Sequence, residues 1–193
     1  MSTVHSYTPT ATALRTADFS AFLDEFEGSG RDPQTQTPDL MVSIDALLAS
    51  TIDGHDDMAQ CFFYKEAVYR YGDSHTADGQ TLSGTIVMPH VYLLLKKTDK
   101  IGDILNLLFN GGTVAKITIK RLVNTGTTIG GDAAVTEYEA CNIMGYANYL
   151  LDYMVVSFRV GGKVTWTATK YNKDSGSDGS GGTNFDFSTN KTE

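Results

Sequence analysis

Apolar and polar residues alternate along most of the second half of the chain. In "TVAKITIKRLV" (113–123), Ala115, Ile117 and Ile119 stand against Lys116, Thr118 and Lys120. In 154–160, Met154, Val156, Phe158 and Val160 share one face. In "KVTWTATKY" (163–171), Val164, Trp166 and Ala168 alternate with Thr165, Thr167 and Thr169. A period of two marks a half-buried strand, because successive side chains leave the pleated backbone on opposite faces. Trp166, Ile117, Ile119 and Phe158 are therefore expected in a common core.

Further strand-like runs precede and follow these. "LMVSIDAL" (40–47) is one, and the aromatic-rich "MAQCFFYKEAVYRY" (58–71) reads as a single long strand. "TIVMPHVYLLLKK" (85–97) is a third, with Pro89 implying a bulge or an edge because proline lacks the ladder N–H. "VTEYEACNIMGYANYLL" (135–151) reads as a strand broken near Gly145. Gly161-Gly162 separates the next two runs, and "TNFDFST" (183–189) closes the chain. The glycine-rich stretches "NTGTTIGGDAA" (124–134) and "NKDSGSDGSGG" (172–182) read as a turn and a flexible hairpin tip.

The period changes twice to that of a helix. In "TDKIGDILNLLFNGG" (98–112), Ile101, Ile104, Leu105 and Leu108 form an apolar stripe, Thr98 or Asp99 can cap the start, and Gly111-Gly112 supplies a left-handed stop. In "TADFSAFLDEFEGSG" (16–30), Phe19, Phe22, Leu23 and Phe26 fall at i, i+3, i+4 and i+7. Thr16 or Asp18 can cap this helix and Gly28 can end it, and "RDPQTQTPD" (31–39) reads as an extended linker. These four residues suit folding back onto the chain's own body or docking onto a neighbouring subunit, and a disordered tail is the third alternative.

The expected architecture is mainly β: an antiparallel β-barrel of two packed sheets with one α-helix between the third and fourth of six to eight strands. Residues 1–38 form an N-terminal extension and 39–193 the barrel. A sheet of that length leaves exposed edges unless it closes or joins another chain.

Composition narrows the function. The chain of 193 residues carries a formal net charge of −8, which argues against a nucleic-acid partner. It has no apolar run long enough to span a membrane, so no membrane insertion is expected. Its first residues lack the basic and apolar segments of a secretory signal, so synthesis in the cytoplasm is expected. Cys61 and Cys141 lie in apolar runs and read as reduced core thiols.

Catalytic chemistry finds little support. There is no phosphate-binding glycine loop, no H-E-x-x-H pair and no G-x-S-x-G elbow. His55 lies among Asp53, Asp56 and Asp57, but the spacing matches no calcium loop, and Asp174 and Asp178 sit in a glycine-rich tip. No catalytic residue, metal or cofactor is expected.

The order of the pieces resembles the haemolysin-coregulated protein (Hcp) family, the tail-tube component of bacterial type VI secretion. "VYLLLKKTDKIGDILNLLFNGG" is similar to the family's strand leading into its helix, although Ile101-Gly102-Asp103 replaces the usual Ser-Pro. "VAKITIKRL" resembles the strand that follows. "MVVSFRVGGKVTWTATKYNKDSGSDGSGGTNFDFSTN" resembles the family's closing hairpin, with Thr165-Trp166-Thr167 in place of its W-T-Y motif. The resemblance spans 39–193 and leaves 1–38 without a counterpart.

The resemblance implies homo-hexameric rings stacked into a tube, carrying effectors. The partners would be the sheath, baseplate or spike proteins of a contractile injection apparatus, with export that needs no signal peptide. It implies that the Val164-Trp166-Ala168 face lines the barrel and that the loop at 72–84 reaches adjoining subunits. Tyr71, Asp73, His75 and Thr76 become candidates for the subunit interface. Two other classes remain: a monomeric β-barrel carrying a small apolar ligand, and a hydrolase with a site scattered in sequence.

Overall fold

The structure is a computed structural model that describes residues 11–35, 39–45, 58–71, 85–124, 129–172 and 176–188. In chain order the elements are α1 (Ala11–Gly28), β1 (Leu40–Ile44), β2 (Ala59–Lys65), β3 (Tyr69–Tyr71), β4 (Thr85–Val87), β5 (His90–Lys96), α2 (Ile101–Asn110), β6 (Thr113–Asn124), β7 (Ile129–Tyr149), β8 (Tyr153–Val160), β9 (Lys163–Asn172) and β10 (Gly176–Asp186).

Six strands close into an antiparallel barrel. The ladder runs β7–β6–β1–β2–β5–β8, and β8 returns to pair with β7. The barrel is filled by side chains from every strand, among them Val42, Cys61, Leu93, Leu95, Ile117, Ile119, Tyr138, Val156 and Phe158. Ile104 of α2 is buried in the same cluster. Ile101, Leu107 and Leu108 pack at its margin, so Leu107 takes the place expected of Leu105. Gly111 ends α2 in the left-handed conformation at φ 64. The start has no side-chain cap: Lys100 occupies the cap position, and Thr98 Oγ1 accepts from the Lys100 N–H at 3.3 Å.

Strand β7 is long enough to hold two partners on one side. Residues Ala134–Tyr138 pair with β9, and Cys141–Tyr149 pair with β8. The exchange happens at Ala140, which has φ 52. There the N–H of Gly161 donates to Ala140 O and that of Gly162 to Glu139 O, and a side chain at either glycine would meet those carbonyls. The Gly161-Gly162 break therefore turns the chain out of the barrel into the β9–β10 hairpin. Near Gly145 the strand shifts register rather than breaking.

Several sequence expectations change. The run 58–71 is two strands, interrupted at Glu66–Val68, and 85–97 is likewise divided at Met88-Pro89. The freed pieces β3 and β4 pair with each other as a separate two-stranded ribbon. Gly130 and Gly131 lie in β7 rather than in a turn, and β10 begins at Gly176 within the expected flexible tip. Backbone bonds pair that glycine-rich segment with β9. Gly182 sits so close to β9 that an added Cβ would lie 2.5 Å from Trp166 O.

Helix α1 starts at Ala11, so Thr16 and Asp18 are inside it rather than at its cap, and Gly30 at φ 70 completes the stop after Gly28. Residues 31–35 after it form a turn rather than extended chain: Asp32 Oδ1 accepts from the Gln34 N–H at 2.9 Å, and Asp32 O from the Thr35 N–H at 3.2 Å; the rest of the expected linker, 36–38, lies outside the described residues.

Candidate functional site

No described residues form a metal-ligand cluster, and none of the described helices is long and apolar enough to cross a membrane. The features that stand out are surfaces: the seat of α1, two arms that leave the barrel, and the polar cluster at their root.

Helix α1 lies on the outside of the barrel. Phe22 and Phe26 are buried with Phe62, Leu94, Tyr153 and Val155, and Phe19, Leu23, Phe63, Tyr92, Ala147 and Tyr149 close the cluster. A register shift between Cys61 and Phe63 turns both Phe62 and Phe63 toward the helix. Phe22 stacks on Tyr92 at 5.6 Å between centroids, and Phe26 meets Tyr149 edge-on at 6.2 Å. Polar contacts fix the rim. Lys65 pairs with Glu25, the Tyr149 hydroxyl donates to Glu27 Oε1 at 3.0 Å, and the Tyr153 hydroxyl donates to Pro33 O at 3.0 Å. Burial, then the bond to Glu27, raises the Tyr149 pKa. Phe19, Phe22, Leu23 and Phe26 thus lie together on the chain's own barrel.

The two arms are the β3–β4 ribbon and the β9–β10 hairpin. Among the described strands β10 is the outermost of the large sheet and pairs with β9. Of the interface candidates, Tyr71 ends β3, paired with Thr85. Asp73, His75 and Thr76 lie outside the described residues, as do His55 and its neighbouring aspartates and Asp174.

At the root of both arms sits Glu66, in the interruption between β2 and β3. The Tyr138 hydroxyl donates to Glu66 Oε2 at 2.6 Å, and Trp166 Nε1 donates to Glu66 Oε1 at 3.3 Å. One carboxylate therefore ties the barrel interior, through Tyr138, to the β9–β10 arm, through Trp166. Burial, then the adjacent Glu66 charge, pushes the Tyr138 phenol pKa far up. Glu66 also borders a cleft of about 700 Å³ lined by Met88, Pro89, Arg159 and Phe187 among others.

Ile117, Ile119 and Phe158 lie in the barrel core. Trp166 does not: it is half-buried at the core's margin. Along β9, Val164 is buried, Trp166 half-buried and Ala168 exposed, because β9 leaves the barrel as it climbs away from β7. The expected barrel-lining face of Val164, Trp166 and Ala168 holds only at its first residue. Glu66 was missed, and its signal was a single carboxylate inside an otherwise aromatic run.

No protein-family model and no curated protein matches the chain by sequence. Solved structures do match by shape. A type six secretion system protein superimposes with a TM-score of 0.67, at 13% identity, over 81% of this chain and 100% of that one. Hcp1 from Salmonella typhimurium gives 0.63 at 10% identity, over 80% and 98%. The secreted protein Hcp3 from Pseudomonas aeruginosa gives 0.53 at 18% identity, over 74% and 97%. The chain has the fold of the Hcp structures, and the likeness in layout is a likeness in three dimensions.

Proposed function

We propose that this chain is a structural subunit that closes into six-membered rings, and that the rings stack as the tail tube of a type VI secretion or related contractile injection apparatus. The observation that carries this reading is the architecture of the arms on an Hcp-type barrel. Strand β10, eleven residues long, forms the outer edge of the large sheet, and the β3–β4 ribbon stands apart from the barrel ladder. An open edge with neither proline nor lysine across 176–186 invites pairing with another chain. The working assembly carries effectors, is expelled through the apparatus and performs no catalysis. Its partners are other copies, then sheath, baseplate or spike proteins.

The carrier reading is weaker, because a ligand-carrying barrel needs an interior cavity and these six strands fill theirs with side chains. Negative-stain microscopy of the purified chain tests the proposal. Rings are expected, and monodisperse single barrels would refute it.

A further inference from the structure

The β3–β4 ribbon leaves the barrel where β2 and β5 part. The last pair of that ladder is Lys65–Tyr92, and the ribbon begins at Tyr69–Val87. On the β4–β5 limb Met88 is buried in the barrel cluster, next to Pro89, which has no N–H to offer a ladder. On the β2–β3 limb Ala67 and Val68 are exposed, and Glu66 alone of the three turns back into the protein. One limb is thus anchored by an apolar side chain and the other by a carboxylate.

The β9–β10 hairpin has its own root. Trp166 stands opposite Thr136 of β7 and Thr183 of β10, at the middle of the stretch Val164–Ala168 that pairs with β7. Past Ala168 the pairing that continues is with β10. Across a cleft of about 700 Å³, Ile86 and Val87 of the ribbon stand opposite Gly161 and Phe187, which flank the hairpin, and Glu66 borders that cleft. The arms are therefore separated by open space where they leave the barrel, and the carboxylate bridges them. A carboxylate accepts on both oxygens, so one side chain holds two donors at once. Tyr138 uses Oε2 and Trp166 uses Oε1, so neither bond is made at the other's expense. At 2.6 Å the bond to the barrel is the firm one, and at 3.3 Å the bond to the hairpin is the yielding one.

We propose that Glu66 couples the two arms: the carboxylate that anchors the β3–β4 ribbon is held in position by Trp166 of the β9–β10 hairpin, so that what fixes or frees one arm fixes or frees the other. The device belongs to a single chain. In the assembly proposed above, and resting on that reading, a neighbour that engages one arm orders the second before the second meets its own partner.

The test is hydrogen exchange on the full-length Trp166→Phe chain, which loses the indole N–H and no atom of the ribbon. Amides of 69–71 and 85–87 are expected to exchange about three- to tenfold faster than in the wild type, the loss of one hydrogen bond, while those of Ile117 and Ile119 stay as they are. Glu66→Ala is expected to free the ribbon likewise. Glu66→Gln is expected to keep it, because the amide oxygen accepts from Trp166 while the amide N–H donates to the Tyr138 hydroxyl, which can also accept. The reverse direction is read at Trp166, the chain's single tryptophan. Tyr69→Pro, at an exposed position outside the barrel ladder, breaks the pairing of β3 and should move the Trp166 emission to longer wavelength. Ribbon exchange unchanged in Trp166→Phe, ribbon exchange as fast in Glu66→Gln as in Glu66→Ala, or Trp166 emission unchanged in Tyr69→Pro would each overturn the coupling. Rings with uncoupled arms would overturn this device and leave the assembly reading standing, and coupled arms in a chain that light scattering finds monomeric would do the reverse.

Discussion

The Tyr138 hydroxyl and the Glu66 carboxylate meet at 2.6 Å across 72 residues of chain. Tyr138 is fully buried, so its hydroxyl has no water to fall back on. Removing the acceptor leaves that donor unsatisfied and also frees the Trp166 indole. Glu66→Ala should therefore cost about 1–3 kcal/mol in a chemical-unfolding measurement, and Glu66→Gln less, since the amide oxygen still accepts. An unchanged unfolding midpoint in Glu66→Ala would remove the bond from the account.

The same pair sets an alkaline limit. The folded-state pKa of Tyr138 is raised, chiefly by burial and then by Glu66. Its contribution to stability is complete below the ordinary tyrosine value of about 10 and is lost as pH rises above it, because the unfolded chain then releases a proton the folded one keeps. The two cysteines, raised to about 12, act with the same sign from about pH 8.5 upward. Stability followed by thermal unfolding should fall steadily from pH 8 to 11, and native Cys61 and Cys141 should resist alkylation until the chain unfolds. Rapid alkylation at pH 8 without unfolding would contradict the burial described.

Helix α1 is held by its phenylalanines. Phe22 and Phe26 are buried, and truncating either to alanine should cost about 3–5 kcal/mol, read as loss of hydrogen-exchange protection over 19–28. Deleting residues 1–30 should leave the barrel folded, with Phe63, Tyr92 and Tyr149 uncovered and binding of a hydrophobic dye increased. Amides of 19–28 that exchange as fast as a free peptide in the intact chain would contradict this docking.

Two glycines test close approaches. A Cβ at Gly145 would lie 2.7 Å from the Phe19 ring and 2.9 Å from Ser157 Oγ, so Gly145→Ala should push α1 off its seat. Gly182→Ala meets backbone instead, at Trp166 O, and should unpair the β9–β10 hairpin. Each overpacking should cost about 1–3 kcal/mol. Only the second should also weaken assembly through the β10 edge, which size-exclusion chromatography at matched concentration would reveal.

Sequence patterning reached the strands whose two faces differ. β6 alternates cleanly, and its Ile117 and Ile119 lie in the barrel. It reached less far where both faces are buried. "MVVSF" in β8 and "YLLLK" in β5 carry apolar residues at successive positions because the barrel takes Val156 and Leu93 while α1 covers Val155 and Leu94. A continuous apolar run has no period to read. The division of 58–71 was also hidden. No turn residue marks it, and the cause is tertiary: Glu66 is drawn to Tyr138 and Trp166 from strands distant in sequence. The Trp166 alternation was real, but period alone does not say where a strand stops touching the barrel. The glycine tip misled because β10 pairs through backbone, which composition does not report.

On the proposed function the chain works by assembling. Native mass spectrometry of the full-length protein at roughly tens of micromolar, where mass action favours association, tests it most directly. A dominant species of six chain masses is expected, with multiples of six as rings stack. A spectrum of single chains at every concentration in that range would contradict it.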